Sequence, residues 1–207
     1  MPKIARLIIV VITLFVVIGT GIVIFVSTNA PDSTDVTLNT TDAETLNCLR
    51  DADDNCLQLP DITGDNLNGE SGTFPADFAG DINIVVLPFD ETQQVAVLEY
   101  VSLFEELLAA DDTLAYYSIA PLPDLAPAVR LLVTGGTGLA VSDAALRELT
   151  YIMFLESEET FLSALNLTED DTAAIQLFIF DADGVALWQG TGNFTDAMAD
   201  GIQEFLQ

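Results

Sequence analysis

The feature that most restricts how this chain can fold is a change of apolar period between residues 82 and 108. Ile82, Ile84, Val85, Val86, Leu87 and Phe89 form a nearly unbroken apolar run, the pattern of a strand covered on both faces. From Val95 the spacing turns helical. Val95, Leu98, Val101, Phe104 and Leu108 fall toward one side, with Glu99, Glu105 and Glu106 elsewhere around the cylinder. Pro88 ends the strand, and Thr92 is placed to cap the helix. A buried strand followed by a turn and an outgoing helix gives a fixed seat for a reactive or anion-binding group. The helix's first turn offers free N–H groups and the positive end of its dipole.

The flanking segments read as the scaffold of an α/β domain. Residues 59–78, punctuated by Gly64, Gly69 and Gly72, predict a hairpin, and the domain boundary falls near residue 58. Residues 114–120 predict a second buried strand closed by Pro121 and Pro123; strand, helix and strand imply a right-handed crossover and parallel pairing. Asp124 is placed to cap a helix reaching Thr134, with Gly135 and Gly136 as its stop. The run VTGGTGLAV follows a helical pattern and lacks the lysine of a phosphate loop, so it reads as a flexible turn. A short helix over 143–149, a strand over 150–155 and a helix capped by Ser157 follow, the last burying Phe161, Leu162 and Leu165. Strands over 175–180 and 185–189 meet at the turn Asp181-Ala-Asp-Gly184. A closing helix from Thr195 or Asp196 buries Met198, Ile202, Phe205 and Leu206.

The segment Pro88-Phe-Asp-Glu-Thr92-Gln-Gln-Val95 resembles the P-x-x-x-T-x-x-C signature of peroxiredoxins, with Pro88 and Thr92 in register. Phe178-Ile-Phe-Asp181-Ala-Asp-Gly184 resembles that family's strand and turn, F-I-I-D-p-d-G. The resemblance covers residues 59–207 and implies a thioredoxin-like fold, a central mixed sheet flanked by helices. It also implies a cysteine thiolate at position 95 and an arginine at position 175 that steadies it. Val95 and Ile175 occupy those positions, and a buried guanidinium without an anion to face would be costly. The site at Pro88, Thr92, Val95 and Ile175 is therefore expected to be degenerate, with no catalytic residue, cofactor or metal. Thioredoxin oxidoreductases would also carry a proline just before the first strand of the late hairpin, and residues 171–175 contain none. Leu187-Trp-Gln-Gly190-Thr-Gly192 is similar, more weakly, to a stretch of thioredoxin-like assembly factors that act outside redox chemistry.

Residues 7–26 carry no charge and are long enough to cross a hydrocarbon layer of roughly 30 Å. Lys3 and Arg6 precede this run, so the positive-inside bias places residues 1–6 in the cytoplasm, an anchor at 7–27, an acidic tether at 28–57 and the domain at 58–207 outside the cytoplasm. The competing reading is a cleaved signal peptide ending at Thr28-Asn29-Ala30. Its apolar core would exceed the usual 7 to 15 residues or so, and Pro31 would follow the cut. All thirty-three acids lie after Ala30 against three arginines, so the outer part carries 33 − 3 = 30 net negative charges. That field repels nucleic acid and anionic headgroups, and it suits a solubilising shell in a salty or acidic exterior. The expected partners are the membrane, through the anchor, and an unidentified protein.

The chain has no histidine and two cysteines, which removes Ser-His-Asp and Cys-His nucleophilic catalysis and the commonest zinc ligand. Cys48 and Cys56 read as a structural disulfide in an extracytoplasmic chain; closing that loop is worth roughly 2.5 kcal/mol by chain entropy. The alternative is a redox-active pair. Against it, the spacing is not C-x-x-C, and Asp51, Asp53 and Asp54 would raise a thiol pKa. Asp51-x-Asp53-x-Asn55 also invites a calcium reading, but Cys56 and Ile62 stand where an EF-hand loop needs glycine and glutamate. Asp90 with Glu91 is a carboxylate pair beside the helix start, read as a solvated turn or as acid-base groups. Trp188 is either a partner anchor or a packing residue. Three functions remain: a redox-silent membrane-tethered binding or assembly module, a thiol-disulfide or peroxide enzyme using Cys48 and Cys56, and an acidic structural domain that takes up divalent cations.

Overall fold

A computed structural model describes residues 48–207; the expected anchor and most of the tether lie outside the described residues. No helix among the described residues is long and apolar enough to cross a membrane. In chain order the elements are β1 (Ile62–Asn66), β2 (Ser71–Phe74), β3 (Ile82–Leu87), α1 (Glu91–Val97), a 3-10 turn (Leu98–Tyr100), α2 (Val101–Ala110), β4 (Leu114–Pro123), α3 (Pro127–Ala140) and α4 (Ala144–Leu149). Then come β5 (Thr150–Leu155), α5 (Glu158–Ala164), a second 3-10 turn (Asp170–Ala173), β6 (Gln176–Asp181), β7 (Ala186–Thr191) and α6 (Asp196–Phe205).

The seven strands form one sheet in the order β2-β1-β5-β4-β3-β6-β7. β3 is parallel to β4 and antiparallel to β6, so the crossover expected from the sequence is present. Successive side chains point to opposite faces, and both faces of β3 are covered. Val85 and Leu87 join Tyr117, Met153 and Phe178 on one face, closed by Phe161, Leu162 and Leu165 of the α5 region. Ile84 and Val86 join Tyr116, Leu177 and Trp188 on the other, closed by Val97, Tyr100 and Phe104 with Met198 and Ile202 of α6. This two-sided burial is why β3 reads as a continuous apolar run.

Three expectations about individual elements are corrected. β4 does not close at Pro121 but continues through Pro123, paired with β5 as far as Pro123 opposite Leu155. Its pairing with β3 stops at Ser118, so both prolines sit where one flank is open, the setting that tolerates a missing N–H. Asp124 does not cap the next helix. α3 starts at Pro127, where a fixed φ and an absent N–H suit the first helical position, and it runs through Gly135 and Gly136 to Ala140. The glycine-rich run is therefore helical and not a flexible turn. Asp124 instead pairs with Arg130, whose guanidinium lies 4.8 Å from the Phe154 ring centroid.

Candidate functional site

The end of the sheet where β3 hands over to α1 is built from residues that the sequence singled out together with two that it did not. Pro88 is buried after β3, and the carboxylate of Asp90, not the hydroxyl of Thr92, caps α1 by accepting from the Gln93 N–H at 2.8 Å. An aspartate at the N-cap satisfies an orphan donor and complements the dipole. Thr92 and Glu91 lie exposed in the first turn. Val95 and Leu98, expected to face inward, are 65 % and 49 % exposed. The buried side of this stretch is instead Gln93, Val97, Tyr100, Leu103 and Phe104. Ile175 is buried among Val97, Trp188 and Met198. The positions that match the thiolate and its arginine therefore do not share a pocket: one faces solvent and the other lies in the core.

Gln93 holds this end together. Its Nε2 donates to the Thr172 carbonyl at 2.9 Å, and its Oε1 accepts from the Phe89 N–H at 2.8 Å. It thereby ties the β3–α1 loop to the 3-10 turn ahead of β6. Gln176, 1 % exposed, works beside it. Its Nε2 donates to the Asp171 carbonyl at 2.9 Å, while its Oε1 accepts from Thr191 Oγ1 at 2.8 Å and Gln189 Nε2 at 3.2 Å. Two neutral amides with satisfied donors and acceptors position backbone, and neither can act as an acid or base near neutral pH. Replacing Gln93 by leucine orphans the part-buried Phe89 N–H and the Thr172 carbonyl. The expected loss is about 2 kcal/mol of stability, measured by urea denaturation. An unchanged midpoint would show that the clamp contributes nothing.

The sulfurs are elsewhere. Cys48 and Cys56 are joined in a disulfide with their Cα atoms 5.4 Å apart. The loop they close is not set apart from the domain. The Leu49 N–H donates to the Ala186 carbonyl, the Ala186 N–H to the Leu57 carbonyl and the Leu59 N–H to the Gly184 carbonyl, at 2.8, 2.9 and 2.8 Å. β6 pairs Asp181 with Ile82 at the start of β3 and Gln176 with Leu87 at its end. The disulfide therefore lies toward the end of the sheet opposite to α1, its loop tied to Ala186 beside Phe180 and Asn83, roughly a strand's length from Leu87, about 13 Å over four residue steps.

Within that loop Asp51 accepts from the N–H groups of Asp53 and Asn55, each at 2.9 Å, and from Asn55 Nδ2. The bonds from Asn55, backbone first, hold the Asp51 carboxyl below the usual carboxylate range. Its oxygens are occupied by the loop's own donors, and an anion fixed beside the sulfurs disfavours a thiolate there. Trp188 is 4 % exposed inside the sheet–helix core, which makes it a packing residue out of reach of a docking protein.

No protein-family model and no curated protein sequence matches the chain. Among solved structures, the thioredoxin domain of a thiol-disulfide oxidoreductase from Bacteroides vulgatus matches with a TM-score of 0.50 at 13% identity, over 72% of this chain and 96% of that one. A putative thiol:disulfide interchange protein DsbE from Chlorobium tepidum gives 0.46 at 13% over 74% and 95%. A member of the Sco family of cytochrome c oxidase assembly proteins gives 0.48 at 10% over 76% and 96%. Identity this low speaks to architecture alone, and the first of these matches, with the sheet order and helices described above, identifies a mixed α/β thioredoxin-like fold.

Proposed function

We propose that this chain is a membrane-anchored, extracytoplasmic thioredoxin-fold module, a peroxiredoxin-like domain without the peroxidatic cysteine, that binds a partner protein and carries out no redox chemistry. The observation that carries the reading is the exposed apolar pair at the working end of the fold. Val95, on the helix where the resemblance would seat a thiolate, and Leu98, in the 3-10 turn that continues it, present 65 % and 49 % of their surface. Both cysteines of the chain are tied in a disulfide at the opposite end of the sheet. Exposed aliphatic groups beside a polar rim of Glu91 and Glu99 are the composition of a contact surface.

The test uses the full-length chain in its membrane. A photo-crosslinking residue at position 95 is expected to give one discrete protein adduct that Leu98→Glu abolishes and that the same residue at position 105 does not form. In parallel, insulin reduction and hydroperoxide consumption should stay at the buffer rate, with Cys48→Ser no different from the parent. Turnover that Cys48→Ser removes would overturn the reading in favour of an oxidoreductase working through Cys48 and Cys56. A melting midpoint raised by calcium would favour the acidic cation-binding domain.

A further inference from the structure

α3 departs from the pattern that every other α-helix among the described residues follows. α1 exposes Glu91, α2 exposes Glu105 and Glu106, α4 Glu148, α5 Glu158 and Glu159, and α6 Asp196, Asp200 and Glu204. α3 has no acid, and residues 125–142 are the longest run without Asp or Glu after residue 31, in a chain of formal net charge −28.

Its one charge, Arg130, is taken up locally although its side chain is 40 % exposed: it pairs with Asp124, donates to the Leu125 carbonyl at 2.8 Å and lies over the Phe154 ring. The hydroxyls of Thr134 and Thr137 donate back to the Arg130 and Val133 carbonyls, each at 3.0 Å. The outward row is Ala128, Leu131, Leu132 and Gly135, spaced as one helical stripe. Leu131 is 76 % exposed and Leu132 48 %, and a Cβ built at Gly135 would meet nothing within 4 Å.

Charge decides what can cover such a face. A second copy of this chain brings a strongly negative body up against another, even where its own α3 is free of acids, and anionic lipid or nucleic acid is repelled by the same field. An uncharged lipid surface asks only for apolar side chains at the depth of the headgroup–acyl boundary. It is also within reach: twenty residues, 28–47, separate the expected anchor from the described domain, and a segment of that length spans at most about 70 Å whatever its conformation. Contact with a bilayer already held that near is intramolecular, so a shallow insertion suffices.

We propose that α3 rests on the bilayer that carries the anchor, with Leu131 and Leu132 entering the interface of zwitterionic lipid. The proposal rests on the membrane-anchor part of the reading above and is independent of the partner contact at α1.

The experiment reconstitutes the full chain in phosphatidylcholine vesicles, with an environment-sensitive fluorophore on Leu131→Cys or, as control, on Glu105→Cys. Flotation after alkaline carbonate, on a separate aliquot because high pH unfolds the domain, comes first: loss of the protein from the vesicles overturns the anchor itself, whatever α3 does. With the protein retained, headgroup-region nitroxide lipids are expected to quench position 131 and to leave position 105 unquenched. Leu132→Asp should lower the lipid-contacted fraction roughly tenfold, and because Leu132 is half-exposed the fold should survive it, as circular dichroism would show. An unquenched position 131 in retained protein overturns the proposal. So does a 131–131 crosslink between copies in place of quenching, which would assign the face to self-association.

Discussion

Trp188→Ala is expected to lower folding stability by about 3–5 kcal/mol, the usual cost of removing a large aromatic from a core that cannot collapse around the hole. The indole sits on β7 at 4 % exposure, in one cluster with Tyr100, Ile179, Met198 and Ile202. The chain leaves room for it deliberately two residues later. A Cβ at Gly190 would lie 2.5 Å from Trp188 Cη2 and 2.7 Å from Met198 Sδ. Sheet backbone on one side and α6 on the other bound the space, so truncation leaves a cavity where helix and sheet meet. Urea denaturation followed by far-ultraviolet circular dichroism measures the loss; a shift below about 1 kcal/mol would place the indole outside the core's main support.

Alkaline pH is expected to unfold the protein before its tyrosines ionise. All four tyrosines of the chain, Tyr100, Tyr116, Tyr117 and Tyr151, have pKa values above the ordinary phenol, in each case chiefly because burial penalises the phenolate. Tyr100 is fully buried and donates to the Gly192 carbonyl at 2.9 Å. Above pH 10 an unfolded tyrosine gives up its proton and a folded one keeps it, so the unfolded state binds fewer protons and stability falls as pH rises. Below pH 10 this contribution is fully present.

Each buried phenol that keeps its proton above pH 10 costs on the order of 1 kcal/mol per pH unit relative to the unfolded chain. Tyr100 and Tyr116, both raised chiefly by burial, together erode a large share of the stability of an ordinary domain. Tyrosinate absorbance should therefore rise together with the loss of circular dichroism in one steep step. A separate phenol titration near pH 10 with the fold intact would refute the burial of these rings.

The strands were legible because continuous apolar runs mark two-sided burial, as in Ile84 to Leu87. So was the cap at Ser157, whose side chain accepts from the Thr160 N–H; the helix starts near Asp143 and Thr195 were legible too, and there the structure adds that both side chains cap their first turns. The phase of the first helix was not. An apolar stripe points inward only if every apolar residue is buried, and Val95 and Leu98 are not. The 3-10 turn at Leu98–Tyr100 also tightens the winding, carrying the buried face from Val97 to Tyr100 and Phe104.

Gln93 escaped notice for a different reason. A neutral amide has no sequence signature, and its partner Thr172 is 79 residues away. The path of α3 through two adjacent glycines likewise follows from Pro127 and the seating of Arg130 on Phe154, tertiary contacts that outweigh weak local helix propensity.

The short covalent ring at the start of the domain also has a mechanical meaning. Any pull arriving along the preceding segment reaches Cys48 and crosses directly to Cys56 through the sulfurs, so residues 50–55 are bypassed while Leu49 holds Cys48 to the sheet through its N–H on the Ala186 carbonyl. The load enters there and at Leu57, whose carbonyl accepts from the Ala186 N–H, and at Leu59, whose N–H is bound to Gly184. Tugging on the leash therefore strains the rim of the sheet next to the last hairpin and leaves the α1 end, a strand's length away, undisturbed.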